Sequence, residues 1–306
     1  MPVRIAVVGS YNGGFTVKLD RLPVLGETLL GSGYMEGPGG KGSNQAVAAA
    51  RLGAEVHFIG CIGQDRIGDA ALELWEREGI QVRVRRDRSH TGVGMIFLFP
   101  EGDNAIIVAP GANSALSPDD VTLMEEGIAD CHILLLQLEI PSETALHAAK
   151  IARGHGVKVI LNPAPAQPLP PQALKCVDVL TPNQTEARLL LGESPASTLS
   201  HDVLAEKLLK LGVQAVVMTL GASGALIATA EGMATVKAPR VKTVDPTGAG
   251  DAFNGALAVA LAQGKSLREA AQWACYAGAH CATKLEVIPG LAKTHELEAF
   301  IRKHPL

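Results

Sequence analysis

An α/β fold is the architecture that the sequence predicts: a mainly parallel central sheet covered by helices on both faces, in three layers, with a small second sheet beside it. Three observations predict it. Short, continuously apolar runs recur along the 306 residues, and amphipathic stretches of helical length separate them. Unbroken apolar strands belong to sheets buried on both faces, and strand–helix alternation belongs to parallel sheets. Two segments then break the rhythm, at 12–36 and 92–108.

In chain order, strands are expected at 4–9, 56–60, 132–136, 157–161, 177–180 and 214–219. Each is built mainly of apolar residues, Val, Ile and Leu foremost, and is bounded by Gly, Pro or polar residues. Helices are expected between them at 44–52, 66–78, 142–154, 183–191 and 202–211, and residues 251–304 read as mostly helical. Residues 12–36 are glycine-rich and lack a helical period. Residues 92–108 read as a hairpin, Val93–Phe99 and Ala105–Val108 about a Pro100–Asn104 turn. These two insertions can pair into a flap, placed at about 11–36 and 92–108, which is a natural lid for an active site. Residues 1–306 are expected to form a single domain carrying that lid.

Composition narrows the function classes. Hydrophobic residues make up 47% and charged residues 19%, so a large core is within reach and disorder is not expected. A net charge of -4 and 4% aromatics argue against a nucleic-acid partner. The cluster Arg83, Arg85, Arg86 and Arg88 alternates with Val82 and Val84 and reads as the wet face of a strand. Five cysteines with no C-x-x-C pair predict reduced thiols rather than a disulfide framework or zinc site. The N-terminal run Ile5–Gly9 is too short for a signal segment, and no apolar run reaches membrane-spanning length. A cytoplasmic enzyme is the resulting expectation.

The segment Asp245-Pro246-Thr247-Gly248-Ala249-Gly250-Asp251 carries the chemistry. Pro246 imposes an extended entry, the glycines turn the chain, and a helix follows. A glycine turn opening a helix presents free N–H groups and the positive end of the helix dipole, which suits phosphate oxygens. Asp251 at that lip is placed to take a proton from an alcohol attacking phosphorus. Taken alone, the same residues also read as a helix cap and a turn. A second glycine cluster, Gly37-Pro38-Gly39-Gly40-Lys41-Gly42-Ser43-Asn44, also ends at a helix start. It offers bare backbone, the Lys41 ammonium and the Asn44 amide to a polyhydroxylated ligand, with Ser43 as a candidate N-cap. Neither lysine-glycine segment is a P-loop: Lys41 is followed by Gly42 rather than Ser or Thr, and Gly264-Lys265-Ser266 lacks the leading glycine, Val259 standing there. Gly248-x-Gly250 runs into Phe253 and does not complete a G-x-G-x-x-G.

With both clusters in view, the chain resembles the ribokinase-like (phosphofructokinase-B type) carbohydrate kinases over nearly its whole length, and within them the ribokinase branch. Residues Gly39–Gly53 and Asp245–Gly255 carry the resemblance, and Gly111–Asn113, Gln137–Glu139, Asn162–Ala166, Thr181–Glu186 and Thr219–Gly221 add to it. The resemblance implies ATP-dependent phosphorylation of a hydroxymethyl group on a pentose or related sugar. It implies Asp251 as catalytic base and Gly248, Ala249 and Gly250 as the anion hole. Asn12, Gly39, Gly40, Lys41, Asn44 and Glu139 would hold the sugar, and Asn183, Thr219, Gly221, Ser223 and Gly224 the nucleotide. Glu186 would help place hydrated Mg²⁺, Asp245 and Thr247 would begin a K⁺ site, and the lids would join a homodimer.

Two segments depart from that pattern. After Asn12, Gly14 stands where an Asp gripping two sugar hydroxyls is usual, so the acceptor need not be ribose. In Thr283–Gly290, Glu286 stands where glycine is usual and Gly290 where a small hydroxyl residue is usual; Lys284 is a candidate internal ammonium near the cation loop. A kinase for another sugar or a nucleoside, and a non-catalytic sensor of sugar or nucleotide, are the alternatives.

Overall fold

The computed structural model describes residues 2–100 and 104–306. Among the described residues, thirteen strands form two sheets. In the order that the chain makes them they are β1 (Arg4–Val8), β2 (Asn12–Lys18), β3 (Gly33–Gly39), β4 (Glu55–Gly63), β5 (Gln81–Asp87), β6 (Gly92–Leu98) and β7 (Asn104–Ala109). They continue as β8 (Ile133–Leu136), β9 (Lys158–Leu161), β10 (Val179–Leu180), β11 (Ala215–Thr219), β12 (Ala225–Thr229) and β13 (Gly232–Val236).

The large sheet runs β13-β12-β11-β10-β9-β8-β1-β4-β5. It is parallel from β5 to β11, and the β11–β12 and β12–β13 pairs are antiparallel, so β12 alone is reversed. The alternation of side chains explains the layers. Ile5, Val7, Ile133 and Leu135 pack on one face, with the helices Lys41–Arg51, Ala249–Ala262 and Leu267–Cys281. Ala6, Val8, Leu134 and Leu136 pack on the other, with Ser142–Gly154 and His201–Leu209. Every second residue of a central strand therefore enters a different core, and each buried Leu or Ile contributes about 1.5–3 kcal/mol.

The six expected strands and five expected helices form within a few residues of their expected ends, and residues 81–87 make the strand implied by the Arg/Val alternation. The hairpin β12–β13 is additional. It is antiparallel, so the strand–helix alternation carries no signal for it. A short helix, Pro118–Leu123, is also additional; its Ser117/Asp120 capping box was legible in principle.

The small sheet runs β3-β2-β6-β7. Its outer pairs are antiparallel, while β2 and β6 are parallel, with Gly14 opposite both Gly37 and Gly94. Within the expected turn at 100–104, Glu101–Asp103 lie outside the described residues. One face of this sheet, including Gly14, Thr16, Met35 and Ile96, looks across a cleft of about 470 Å³. The opposite wall is Asp245–Thr247 and Leu285–Pro289.

Candidate active site

Adjacent parallel strands each deliver a polar residue just past the carboxyl end. Reading across the sheet, Thr219 ends β11, Thr181 and Asn183 follow β10, Asn162 follows β9, Gln137 and Glu139 follow β8, and Ser10 follows β1. Ligands of open α/β sheets gather at these ends, beside a strand such as β1 whose two neighbours connect in opposite directions. Two helix N-termini close over the line from one face: Lys41–Arg51 and Ala249–Ala262.

Gly40 is the N-cap of the first helix, at φ 89°, and no side chain caps it. Ser43 is not the cap; its Oγ accepts the Trp75 indole N–H at 2.9 Å. The helix is pressed against the β1–β2 link so closely that a Cβ at Gly42 would lie 2.4 Å from the Ser10 nitrogen. The first three N–H groups all find protein acceptors. Lys41 donates to Glu139 Oε2 at 2.9 Å, Gly42 to Ser10 Oγ at 3.3 Å and Ser43 to the Ser10 carbonyl at 2.9 Å. Glu139 Oε2 also accepts from Ser10 Oγ at 2.5 Å and Asn12 Nδ2 at 3.3 Å. Asn113 holds this corner by donating to Asn12 Oδ1 at 2.8 Å and the Tyr11 carbonyl at 2.9 Å.

The second helix begins differently. Gly248 is its N-cap, left-handed at φ 80°, where Val287 would meet any Cβ. Of the expected cradle donors, Ala249 N–H is engaged by the Pro246 carbonyl at 3.1 Å. The N–H groups of Gly250 and Asp251 make no main-chain bond among the described residues, and a Cβ at Gly250 would meet open space. The Gly248 N–H likewise makes no bond among the described residues, so Gly248 and Gly250 of the expected cradle are open and Asp251 extends it.

Asp251 is buried, 6% exposed, in the first turn of this helix. Its Oδ2 accepts from Asn44 Nδ2 at 2.8 Å and its Oδ1 from Gln45 Nε2 at 3.1 Å. Asn44 Oδ1 is buried without a partner among the described residues. Burial alone would lower the Lys41 pKa, but Asp251, Glu139 and Glu186 outweigh it and leave the ammonium raised. Glu186 goes the other way. Burial raises its carboxyl, against the opposing pull of the Asn183 N–H and Lys41.

The other expected residues fall at the far end of the strand line. Asn183 caps Gln184–Leu190, its Oδ1 accepting from Glu186 N at 2.8 Å while Glu186 Oε2 accepts from Asn183 N at 2.8 Å. Asn183 also bridges to Thr219, and Gly221, Ser223 and Gly224 form the turn after it. Asp245 staples two loops, accepting from Thr247 N at 2.9 Å and Glu286 N at 3.1 Å. Glu286 adopts φ 66°, ψ 155°, the only positive φ outside glycine among the described residues, at the position where glycine was expected. Lys284 lines a separate cleft with Arg240, Lys242 and Lys303, not the one bordered by Asp245, so the internal-ammonium reading is corrected.

Sequence reasoning gave no role to Ser10, Gln45, Asn113 or Asn254. Ser10 carried a usable signal, a polar residue directly after a buried strand. Gln45 and Asn254 were hidden inside helices and became visible only through the bonds they make.

The family model described as pfkB family carbohydrate kinase matches residues 3–294. Ribokinase of Haemophilus influenzae is 41% identical over 282 residues, covering 92% of this chain and 92% of that protein. The solved ribokinase of Thermotoga maritima matches with a TM-score of 0.89 at 37% identity, covering 99% of this chain and 100% of its own. The Arabidopsis thaliana ribokinase complexed with ribose and ATP matches with a TM-score of 0.89 at 32% identity, covering 99% of each chain.

Proposed function

The chain belongs to the pfkB family of carbohydrate kinases, and on that premise we propose that it transfers the γ-phosphoryl group of ATP to the hydroxymethyl group of a pentose or closely related sugar, with Asp251 as the base. One observation carries this reading: a buried carboxylate lies directly beside two unengaged main-chain N–H groups at a helix N-terminus. As the sugar oxygen attacks phosphorus, its proton passes to Asp251, the P–O bond to ADP breaks, and the Gly250 and Asp251 amides take the developing charge. Lys41 supplies a fixed positive charge within the field of Asp251 and Glu139. The unpartnered Asn44 Oδ1 is the acceptor left for a sugar hydroxyl, and Asn12 with the Glu139 corner holds the ring.

The nucleotide lies along Asn183, Thr219 and the 221–224 turn, at the far end of the strand line. Glu186 fits a role toward hydrated Mg²⁺. One of its oxygens is held by the Asn183 N–H, the other makes no hydrogen bond among the described residues, and its half-buried carboxyl gains from a nearby cation. When bound, Mg²⁺ would supply positive charge to neutralise the phosphate, with Glu186 helping to hold its hydration shell. For K⁺, Asp245 retains lone pairs beyond its two N–H bonds and Thr247 adds a hydroxyl; titrating activity with K⁺ tests that site. The small sheet acts as the lid. Its edge strand exposes Ile106, Ile107 and Val108, and a second copy covering them gives the homodimer, which light scattering would detect.

Asp251→Asn is expected to preserve ATP binding and to lower kcat by about 10²–10⁴. Activity within a few-fold of the unmodified enzyme would remove Asp251 as the base. Gly14 favours acceptors that lack, or do not present, the hydroxyl pair an Asp there would grip. Across a panel of pentoses, other sugars and nucleosides, Gly14→Asp should raise turnover of ribose relative to the rest. No gain on ribose or any other pentose would refute the lost-carboxylate explanation.

A further inference from the structure

Behind Asp251 lies a chain of buried side-chain amides that no step above uses. Gln45 is fully buried and sits on the first helix, next to the substrate-facing Asn44. Its Nε2 donates to Asp251 Oδ1 at 3.1 Å and to Asn162 Oδ1 at 3.2 Å, while its Oε1 accepts from Gln137 Nε2 at 2.7 Å. Both amide hydrogens are used, and turning the amide over would set its oxygen against a carboxylate and a carbonyl, so one orientation is dictated. The chain continues. Asn162 Nδ2 donates to the Thr181 carbonyl at 3.0 Å, Thr181 Oγ1 to Asn254 Oδ1 at 2.6 Å, and Asn254 Nδ2 to the Gly250 carbonyl at 2.8 Å. One end therefore holds the carboxylate of Asp251, and the other holds the main chain of the glycine before it. The anchors between are the carboxyl ends of β8, β9 and β10.

We propose that Gln45 is the positioning residue of the base: it fixes the plane of the Asp251 carboxylate through Oδ1 and so directs Oδ2 at the acceptor hydroxyl. A carboxylate held through one oxygen alone can rotate about its terminal bond, whose torsional well is broad. With Asn44 on Oδ2 and Gln45 on Oδ1, both oxygens are pinned from consecutive positions of one helix. A proton acceptor misplaced by even an ångström loses much of its effect. Most polar atoms of the relay satisfy one another, Gln137 Oε1 being a buried acceptor without a partner among the described residues, and such a network rigidifies the core.

The proposal rests on Asp251 being the base, and the experiment separates the two. Gln45→Met keeps the side chain's length and removes the donor; Gln45→Glu keeps its shape and sets a second carboxyl against Asp251. Charged or titratable groups already facing Asp251 are Lys41, Glu186 and Cys281, with Glu139 and Asp245 beyond them. For Gln45→Met, kcat should fall about a hundredfold while both KM values stay within about threefold. For Gln45→Glu, the acid limb of the kcat–pH profile should move up by about one unit or more, because two carboxyls share a proton. A purely structural role would leave that limb in place. Gln45 variants with near-normal kcat and an unmoved profile, beside an inactive Asp251→Asn, would overturn the positioning role alone. An active Asp251→Asn would overturn the base itself. If neither Gln45 variant folds, the residue serves the core and the positioning role fails.

Discussion

The two glycine-led helix N-termini of this protein look alike in sequence and differ in what their amides do. Gly40 and Gly248 are both N-caps at positive φ without a side-chain cap, whereas the helices at Arg66, Pro118, His201 and Leu267 are capped by Asp65, Ser117, Ser200 and Ser266. At the Gly40 terminus the protein itself satisfies the first three N–H groups, through Glu139 and Ser10. At the Gly248 terminus two remain open. A helix end whose donors are already engaged has little left for an anion, and one whose donors face open space beside a buried base is ready for one. On the proposed mechanism, the first terminus positions Lys41, Asn44 and Gln45, and the second receives charge.

Four substitutions sharpen or break this comparison. Glu139→Ala should cost the most, about 3 kcal/mol of stability, since it strands three donors at the Gly40 terminus, and sugar KM should rise with it; denaturant unfolding and initial rates measure both. Gly42→Ala drives a methyl into the Ser10 backbone and should destabilise by about 1–3 kcal/mol, read from the unfolding midpoint. The same change at Gly250 meets open space. Gly250→Ala should leave stability equal or slightly higher, yet slow kcat about tenfold, near 1.4 kcal/mol of barrier, by crowding the anion. If Gly250→Ala unfolds the protein while Gly42→Ala spares it, the two termini have been assigned the wrong way round. The smallest effect is expected at Glu286→Gly. Its conformation belongs to glycine, and relieving it should add about 1 kcal/mol, visible as a raised Tm. An unchanged Tm would mean that the loop relaxes around Glu286 without strain.

How much of this was legible beforehand follows from the kind of signal involved. The central strands were readable because both faces are buried, so Ile5–Val8 and Ile133–Leu136 are apolar without a break. The β12–β13 hairpin was not, because it departs from the alternation that organised the rest. Asp251 and Glu186 stood out as acids at helix starts, and Glu286 as an acid in place of a glycine, which its positive φ accounts for. The distinction between the two glycine clusters was beyond reach. Which amides are free depends on Ser10 and Glu139 arriving from the ends of β1 and β8, more than a hundred residues apart. Gln45 was hidden for a similar reason: its bonds reach residues 137, 162 and 251, and nothing local marks it.

The most direct measurement follows the main-chain amides themselves. With ¹⁵N-labelled protein, sugar, ADP, Mg²⁺ and tetrafluoroaluminate as the phosphoryl mimic, the Gly250 and Asp251 amide resonances should shift strongly and become protected from exchange. Those of Lys41, Gly42 and Ser43, already bonded within the protein, should change little. Large shifts confined to residues 41–43, with 250 and 251 unmoved, would contradict the assignment of the charge-receiving cradle.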